Sequence, residues 1–173
     1  ENVHHGLEVI ARQSRAQGEL IADLMDVHRL STGKVRLDTS EVDLARLLHS
    51  AIEAVSPSAS AKELHVRREF ETGVLSVLGD ENRLQQVFVN LLSNAIKFTP
   101  RNGEISVMLR RAGSQAQISV RDNGEGIAPE AAQHLFERFR QADPSASPGH
   151  AVLGLGLSIV KQLVELHGGT IRG

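Results

Sequence analysis

An apolar seam spaced by threes and fours runs through the first thirty residues, carried by Val3, Leu7, Ile10, Ile21 and Leu24, with Ser14 and Gln17 interrupting it midway. This spacing predicts one long helix. Met25, Val27 and Leu30 widen its apolar face near the end, and Gly33 in LSTGK is expected to stop it by adopting a left-handed conformation at little cost. At 1.5 Å per residue such a helix is about 40 Å long, too long to bury its seam on the domain the remaining residues can form. The seam calls for another helix, and none of matching length follows. Self-association or a partner helix located before residue 1 would supply it.

From Lys34 onward the elements shorten. VRLDTSEVD predicts a short strand and turn, and Leu44, Leu47, Leu48, Ala51, Ile52 and Val55 mark an amphipathic helix expected to end at Pro57, with SPSASAK as a loop. LHVRREF and VLSVLG predict strands, DENRLQQVFVNLLSNAIKF a helix, and GEISVMLRR and QAQISVRD alternating strands. APEAAQHLFERF predicts a helix opened by Pro129, and QADPSASPGHAV a mobile loop. LGLSIVKQLVEL predicts a helix closed by Gly168 and Gly169, leaving TIRG as the start of a strand. The strand pairs 64–70 with 74–79 and 105–111 with 117–122 have links too short for parallel crossovers. The expected fold is α+β, a mixed or antiparallel sheet with helices on one face, preceded by the long helix.

Charge and composition remove several function classes. Lys+Arg 19 against Asp+Glu 21 leaves a formal charge of −2, so no basic excess points to nucleic acid, and Trp 0 with Tyr 0 leaves no base-stacking platform. Cys 0 excludes disulfides, thiolate catalysis and Cys-based zinc sites, and suits a reducing cytosol. No apolar run approaches the roughly twenty residues that span a bilayer, and ENVHHGLEVIARQ lacks the apolar centre of a signal peptide.

Three segments carry chemistry. In the helix after Asp80, Leu84, Val87, Phe88, Leu91, Leu92 and Ala95 fall on one side, while Gln86, Asn90, Asn94 and Lys97 form a narrow stripe opposite. A solvated face would more often use Glu, Lys and Gln. The functional reading is an amide pair and an ammonium aimed at a phosphate and its metal, since an Asn carbonyl oxygen is a hard ligand suited to Mg²⁺ and Lys neutralises phosphate. In RDNGEGIAP, Asp122 continues the row of Ile118 and Val120, and a carboxylate there needs donors. Asp-Asn-Gly is also a hairpin signal, weakened here because helix follows Gly126; Gly124 and Gly126 permit close backbone approach by a ligand. Gly154 and Gly156 open the last helix, where free N–H groups and the helix dipole favour an anion. GxGxxG fails, since Ile159 occupies the third glycine position, and GxxxxGK[ST] is absent.

Together, QQVFVNLLSNAIKFT, DNGEGI, LFERFRQAD and GLGLSIVKQLVELHGG closely resemble, in that order, the N, G1, F and G2 boxes of the catalytic ATP-binding domain of sensor histidine kinases. The resemblance covers about residues 35 to 173, and LIADLMDVHRLSTGKVRLD is similar to the second helix of that family's dimerisation domain. It implies a two-layer α/β sandwich of the Bergerat type, with residues 1–33 as the dimerisation helix and 34–173 as the ATP-binding domain, truncated at its C-terminal strand. It implies ATP and Mg²⁺ as cofactors, with Asn90 as metal ligand and Asn94 and Lys97 on the phosphates. Asp122 would accept from the adenine amino group, Gly124 and Gly126 would let base and ribose approach, and Gly154 and Gly156 would bracket the phosphates. Phe136 and Phe139 would anchor the lid, although their spacing also suits plain core. The implied partners are a phosphoacceptor helix, a response-regulator receiver domain and a second copy of the full-length protein; the implied setting is cytoplasmic, with a parent protein that a membrane could anchor.

Departures from the family pattern narrow this reading. Related ATPases place a glutamate four residues before the metal-binding asparagine to activate water; here Gln86 stands there and cannot act as a general base, which suits transfer to an external acceptor. The family's acceptor histidine is followed at once by an acidic residue, and the eight histidines here are followed by His, Gly, Arg, Ser, Val, Leu, Ala and Gly, so this segment is not expected to phosphorylate itself. Ala151 and Val152 replace two glycines of the family's lid motif and would stiffen it. They motivate an alternative, a degenerate nucleotide-binding or dimerisation module. A free-standing ATPase is disfavoured by Gln86.

Overall fold

The computed structural model describes residues 2–32, 35–73, 75–137 and 155–173. Helix α1, Asn2–Ser31, realises the long seam, and its end is closed by Thr32, whose Oγ1 donates to the carbonyls of His28 and Arg29 at 3.1 Å each. Gly33, the expected stop, lies outside the described residues. Strand β1, Ser40–Asp43, leads into α2, Leu44–Ala61, capped by the Asp43 carboxylate on the Arg46 N–H. Then come β2, His65–Phe70; β3, Ser76–Gly79; α3, Glu81–Phe98; β4, Glu104–Ala112; β5, Gln115–Asp122; a four-residue α4, Pro129–Ala132; and α5, Gly156–Leu166.

The sheet is mixed, as expected, but its pairing is not that of the sequence reading. Residues 64–70 do not pair with 74–79. Instead β2 runs parallel to β4, with Val66 opposite Ile105 and Phe70 opposite Leu109, while β3 pairs antiparallel with β1 in a separate ribbon. The short link after β2 forms no hairpin: the Glu71 N–H prolongs the β4 ladder on the Leu109 carbonyl, buried Leu75 anchors the far side, and its carbonyl accepts from the Leu44 N–H. The crossover that a parallel pair requires is β3 with α3. The β4–β5 hairpin is as expected, with Ile105 opposite Asp122 and Gly113 turning at φ 63°.

Helices cover one face. Ile105, Val107 and Leu109 from β4 pack in one core with Leu44, Leu48 and Ile52 of α2, Leu84, Phe88 and Leu92 of α3, and Ile159 and Leu163 of α5. Among the described side chains of α1, Val27 at 7% exposure joins this core. The expected loop SPSASAK is helical, because Ala59 continues past Pro57 the stripe of Leu44, Leu47, Leu48, Ala51, Ile52 and Val55, and burial of that whole stripe outweighs the local cost of the proline. The helix expected over APEAAQHLFERF is cut to α4, since the N–H groups of His134, Leu135 and Glu137 bond three residues back rather than four. TIRG forms no ladder.

Candidate functional site

Asp80 starts the site. Its Oδ1 accepts from the Arg83 N–H at 3.1 Å and caps α3, and its Oδ2 accepts from the Asp38 N–H at 3.0 Å. Burial, the largest single influence, raises its pKa, but these N–H groups, the Asn82 N–H and the Arg83 charge together outweigh it and hold the carboxyl below the ordinary value. The Asp80 N–H donates to Nε2 of His167 at 3.0 Å, while His167 Nδ1 meets the Leu163 carbonyl at 2.7 Å. With Nε2 accepting, Nδ1 carries the proton, and the end of α5 is tied to the start of α3. No cavity is needed for this knot; Gly79 is glycine because a Cβ there would meet Leu84 at 2.9 Å and His167 at 3.0 Å.

The polar stripe of α3 is formed as the spacing requires. Asn90 is half-buried and its Nδ2, 4.0 Å from where a Gly156 Cβ would lie, has no hydrogen-bond partner. It points at the start of α5, where Leu155 is buried and the Ser158 hydroxyl bonds the Leu155 carbonyl at 2.8 Å. An orphaned NH₂ donor beside a helix N-terminus is an arrangement that an anion completes. Asn94 is half-buried one turn on. Lys97 follows, its Nζ 5.0 Å from the ring centroid of Phe98, and burial lowers its pKa below the ordinary 10.5.

Asp122 ends β5 opposite Ile105 and is exposed, not aimed into the core as its row suggested. Its Oδ1 accepts from the Gly124 N–H at 2.9 Å, leaving Oδ2 for another donor. A Cβ at Gly124 would collide with the Phe98 carbonyl and stand 2.7 Å from Asp122 Oδ1, so the turn is pressed against the end of α3. Gly126 has φ 74°, a left-handed conformation that glycine adopts with no side-chain penalty. Asn90, Gly156, Lys97, Asp122 and Gly124 are thereby gathered along one side of α3. Phe139, Gly154, Ala151 and Val152 lie outside the described residues. Phe136 is half-buried, its ring 3.7 Å from where a Gly173 Cβ would lie.

Three contributors escaped the sequence reading. Lys62 donates through Nζ to the carbonyls of Ile96, Lys97 and Thr99 at 2.8, 2.8 and 3.0 Å, capping the turn that carries Lys97. Phe98, 52% exposed, holds its ring under the Lys97 ammonium. Asp26 of α1 pairs with Arg83 at 3.1 Å. Among the described residues no cluster of three His, Asp or Glu could hold a metal by itself. The shallow cavity of about 240 Å³ over Ser106, Met108, Arg110, Gln117, Ser119 and Arg121 lies on the opposite sheet face.

Residues 79–173 match the family described as histidine kinase-, DNA gyrase B-, and HSP90-like ATPase. The chain is 37% identical over 175 residues to hybrid signal transduction histidine kinase D of Dictyostelium discoideum, covering 98% of this chain and 11% of that protein. It is 35% identical over 172 residues to the sensor-like histidine kinase SenX3 of Mycobacterium tuberculosis (strain ATCC 25618 / H37Rv), covering 99% of this chain and 42% of that one. The chain thus spans less than half the length of either relative. Full-length ShkA, solved in complex with AMPPNP, superposes with a TM-score of 0.79 at 32% identity, over 91% of this chain and 32% of that one.

Proposed function

This chain belongs to the family of histidine kinase-, DNA gyrase B- and HSP90-like ATPases and carries the ATP-binding catalytic domain of a sensor histidine kinase, and from that premise we propose that it binds Mg-ATP along α3 and delivers the γ-phosphoryl group to a histidine on another segment. The observation that carries the reading is the orphaned amide of Asn90 facing the start of α5. Asn90 would hold Mg²⁺ through its carbonyl oxygen, and the ion would supply neutralisation of the phosphate charge. Asn94 and Lys97 take the phosphates, the start of α5 at Gly156 presents its N–H groups to them, and Asp122 accepts from the adenine amino group beside Gly124 and Gly126. Phosphoryl transfer needs alignment and charge neutralisation more than acid–base groups, and this set supplies both.

Residues 1–33 serve as a dimerisation helix and 34–173 as the catalytic domain. The acceptor histidine is none of the eight in this sequence, and the phosphoryl group passes on to a receiver domain of a response regulator. Calorimetric titration with Mg-ATP, with ATP lacking Mg²⁺ and with adenosine tests the reading. Asn90→Ala should weaken Mg-ATP about tenfold or more while adenosine binding barely changes. Equal losses for both ligands would remove the metal role, and no binding by the unaltered chain at millimolar nucleotide would remove the function.

A further inference from the structure

A single residue closes two helices below the turn that carries Lys97. The Lys62 N–H bonds the carbonyls of Ala59 and Ser60 and ends α2, while its side chain crosses to the end of α3. The last carbonyls of a helix have no partner within it. Here the Ala95 carbonyl is taken by the N–H and the hydroxyl of Thr99, and those of Ile96 and Lys97, with that of Thr99 beyond, accept from Lys62 Nζ. All three ammonium donors are thereby used on one turn of chain, and the charge stands at the negative end of the helix dipole. The neighbouring carboxylate of Glu63 is engaged elsewhere, by Arg101 at 2.6 Å. The Lys62 carbonyl completes the knot by accepting from the Asn102 N–H at 3.1 Å.

The carbonyl left over, that of Phe98, lies against Gly124, where a Cβ would collide with it. The same turn after β5 is tied to the chain that follows α3. Asn123 Oδ1 accepts from the Glu104 N–H at 2.8 Å, and the Asn123 N–H donates to the Glu104 carbonyl at 3.2 Å. Gly103 leaves room for this contact, since a Cβ there would stand 2.8 Å from Asn123 Oδ1. Asp122 Oδ1 is in turn fixed by the Gly124 N–H. The placement of Asp122 thus follows from that of residues 96–104, a stretch that Lys62 bonds at Ile96, Lys97, Thr99 and Asn102. We propose that Lys62 is a positioning residue for purine recognition: by fixing the end of α3 it holds the platform on which the Asp122–Gly124 turn is set, and with it the separation between Lys97 and Asp122. The proposal rests on the reading in which Asp122 meets the adenine amino group and Lys97 the phosphates; Lys62 acts through the end of α3 rather than on the nucleotide.

The test compares the full chain with Lys62→Met, Asp122→Asn, Lys62→Met/Asp122→Asn and, as a variant weakened only in the core, Val55→Ala. Each is titrated calorimetrically with adenosine, Mg-ATP and Mg-GTP well below its melting temperature. Lys62→Met keeps the length of the side chain and removes its donors. It should weaken adenosine about fivefold or more and cut the preference for Mg-ATP over Mg-GTP by a similar factor; Mg-ATP should lose at least as much as adenosine, because Lys97 rides on the same turn. The double variant should show no lower preference than Asp122→Asn alone, since Lys62 works through Asp122. Val55→Ala should melt earlier and keep its preference within about twofold of the unaltered chain, which separates positioning from mere stability. Unchanged adenosine affinity or preference in Lys62→Met, a further loss of preference in the double variant, or an equal loss in Val55→Ala overturns the proposal. Should Lys62→Met not fold, the unaltered chain decides: adenosine should shift the nitrogen resonance of the Lys62 ammonium, and an unshifted resonance overturns the proposal. Failure of the unaltered chain to bind adenosine or nucleotide would instead remove the catalytic reading and this inference with it.

Discussion

Lys97 shows how the site uses burial. Folding withdraws its ammonium from water, which lowers the pKa below 10.5, and no carboxylate pairs with it among the described residues. A triphosphate alongside would favour the charged form and raise the pKa again. Affinity for Mg-ATP should therefore be complete below the lysine's pKa in the free protein, fall as pH rises through it, and level off above the higher pKa of the complex. Titrations from neutral pH to about 10 should show this alkaline loss, and Lys97→Met should bind more weakly with the loss abolished. An unchanged alkaline profile in Lys97→Met would assign the titration to another group. That Asn90, Asn94 and Lys97 share a stripe of α3 was legible because helical spacing is a local property that the sequence displays directly. Lys62 was not: it lies 34 residues before Ile96, and only the assembled fold brings its Nζ onto the last carbonyls of α3. Asp122 was half legible, with its position on β5 correct and its burial not, because a strand's last residue can follow the inner row and still reach solvent.

Among the elements, β5 and α3 formed where their period placed them, whereas the partner of β2 and the end of α2 did not follow the local signals. β5 occupies the alternating run QAQISVRD, and α3 begins one residue after its Asp80 cap. The parallel pairing of β2 with β4 was hidden because link length excludes a crossover between neighbouring strands but says nothing about which distant strand will pair. Pro57 misled for a different reason. Its ring opposes the helix locally, yet Leu44, Leu47, Leu48, Ala51, Ile52, Val55 and Ala59 form one continuous buried stripe, and tertiary burial overrides propensity. Since Pro57 is exposed, replacing it removes no packing. Pro57→Ala should raise the stability of the domain by roughly 1–3 kcal/mol, read as a higher urea midpoint at unchanged slope. A lower midpoint would mean that the proline fits a bend that alanine does not reproduce.

At the scale of the molecule, two surfaces of unequal completeness are joined by α1. The catalytic body has one buried apolar cluster, to which α1 contributes Val27, while α1 leaves Leu7, Ile10, Ile21, Leu24 and Met25 between 51% and 64% exposed along its length. Leu7, Ile10, Ser14, Gln17, Ile21 and Leu24 follow each other at alternating intervals of three and four, the seam of a left-handed coiled coil with two polar residues in its middle. Such a stripe in water is a surface awaiting a partner, and the polar pair lowers its affinity while fixing its register. Pairing between two copies of α1 should therefore be weak and dependent on concentration. Sedimentation velocity over a micromolar range should show reversible dimers for the unaltered chain, and Ile10→Glu/Ile21→Glu should sediment as a monomer at every concentration. Both isoleucines stand clear of the core and of Asn90, so the variant should keep its melting temperature and its nucleotide affinity. Dimers that persist in the variant would move the interface onto the catalytic body. A chain that stays monomeric at all concentrations would assign the seam to a different helix.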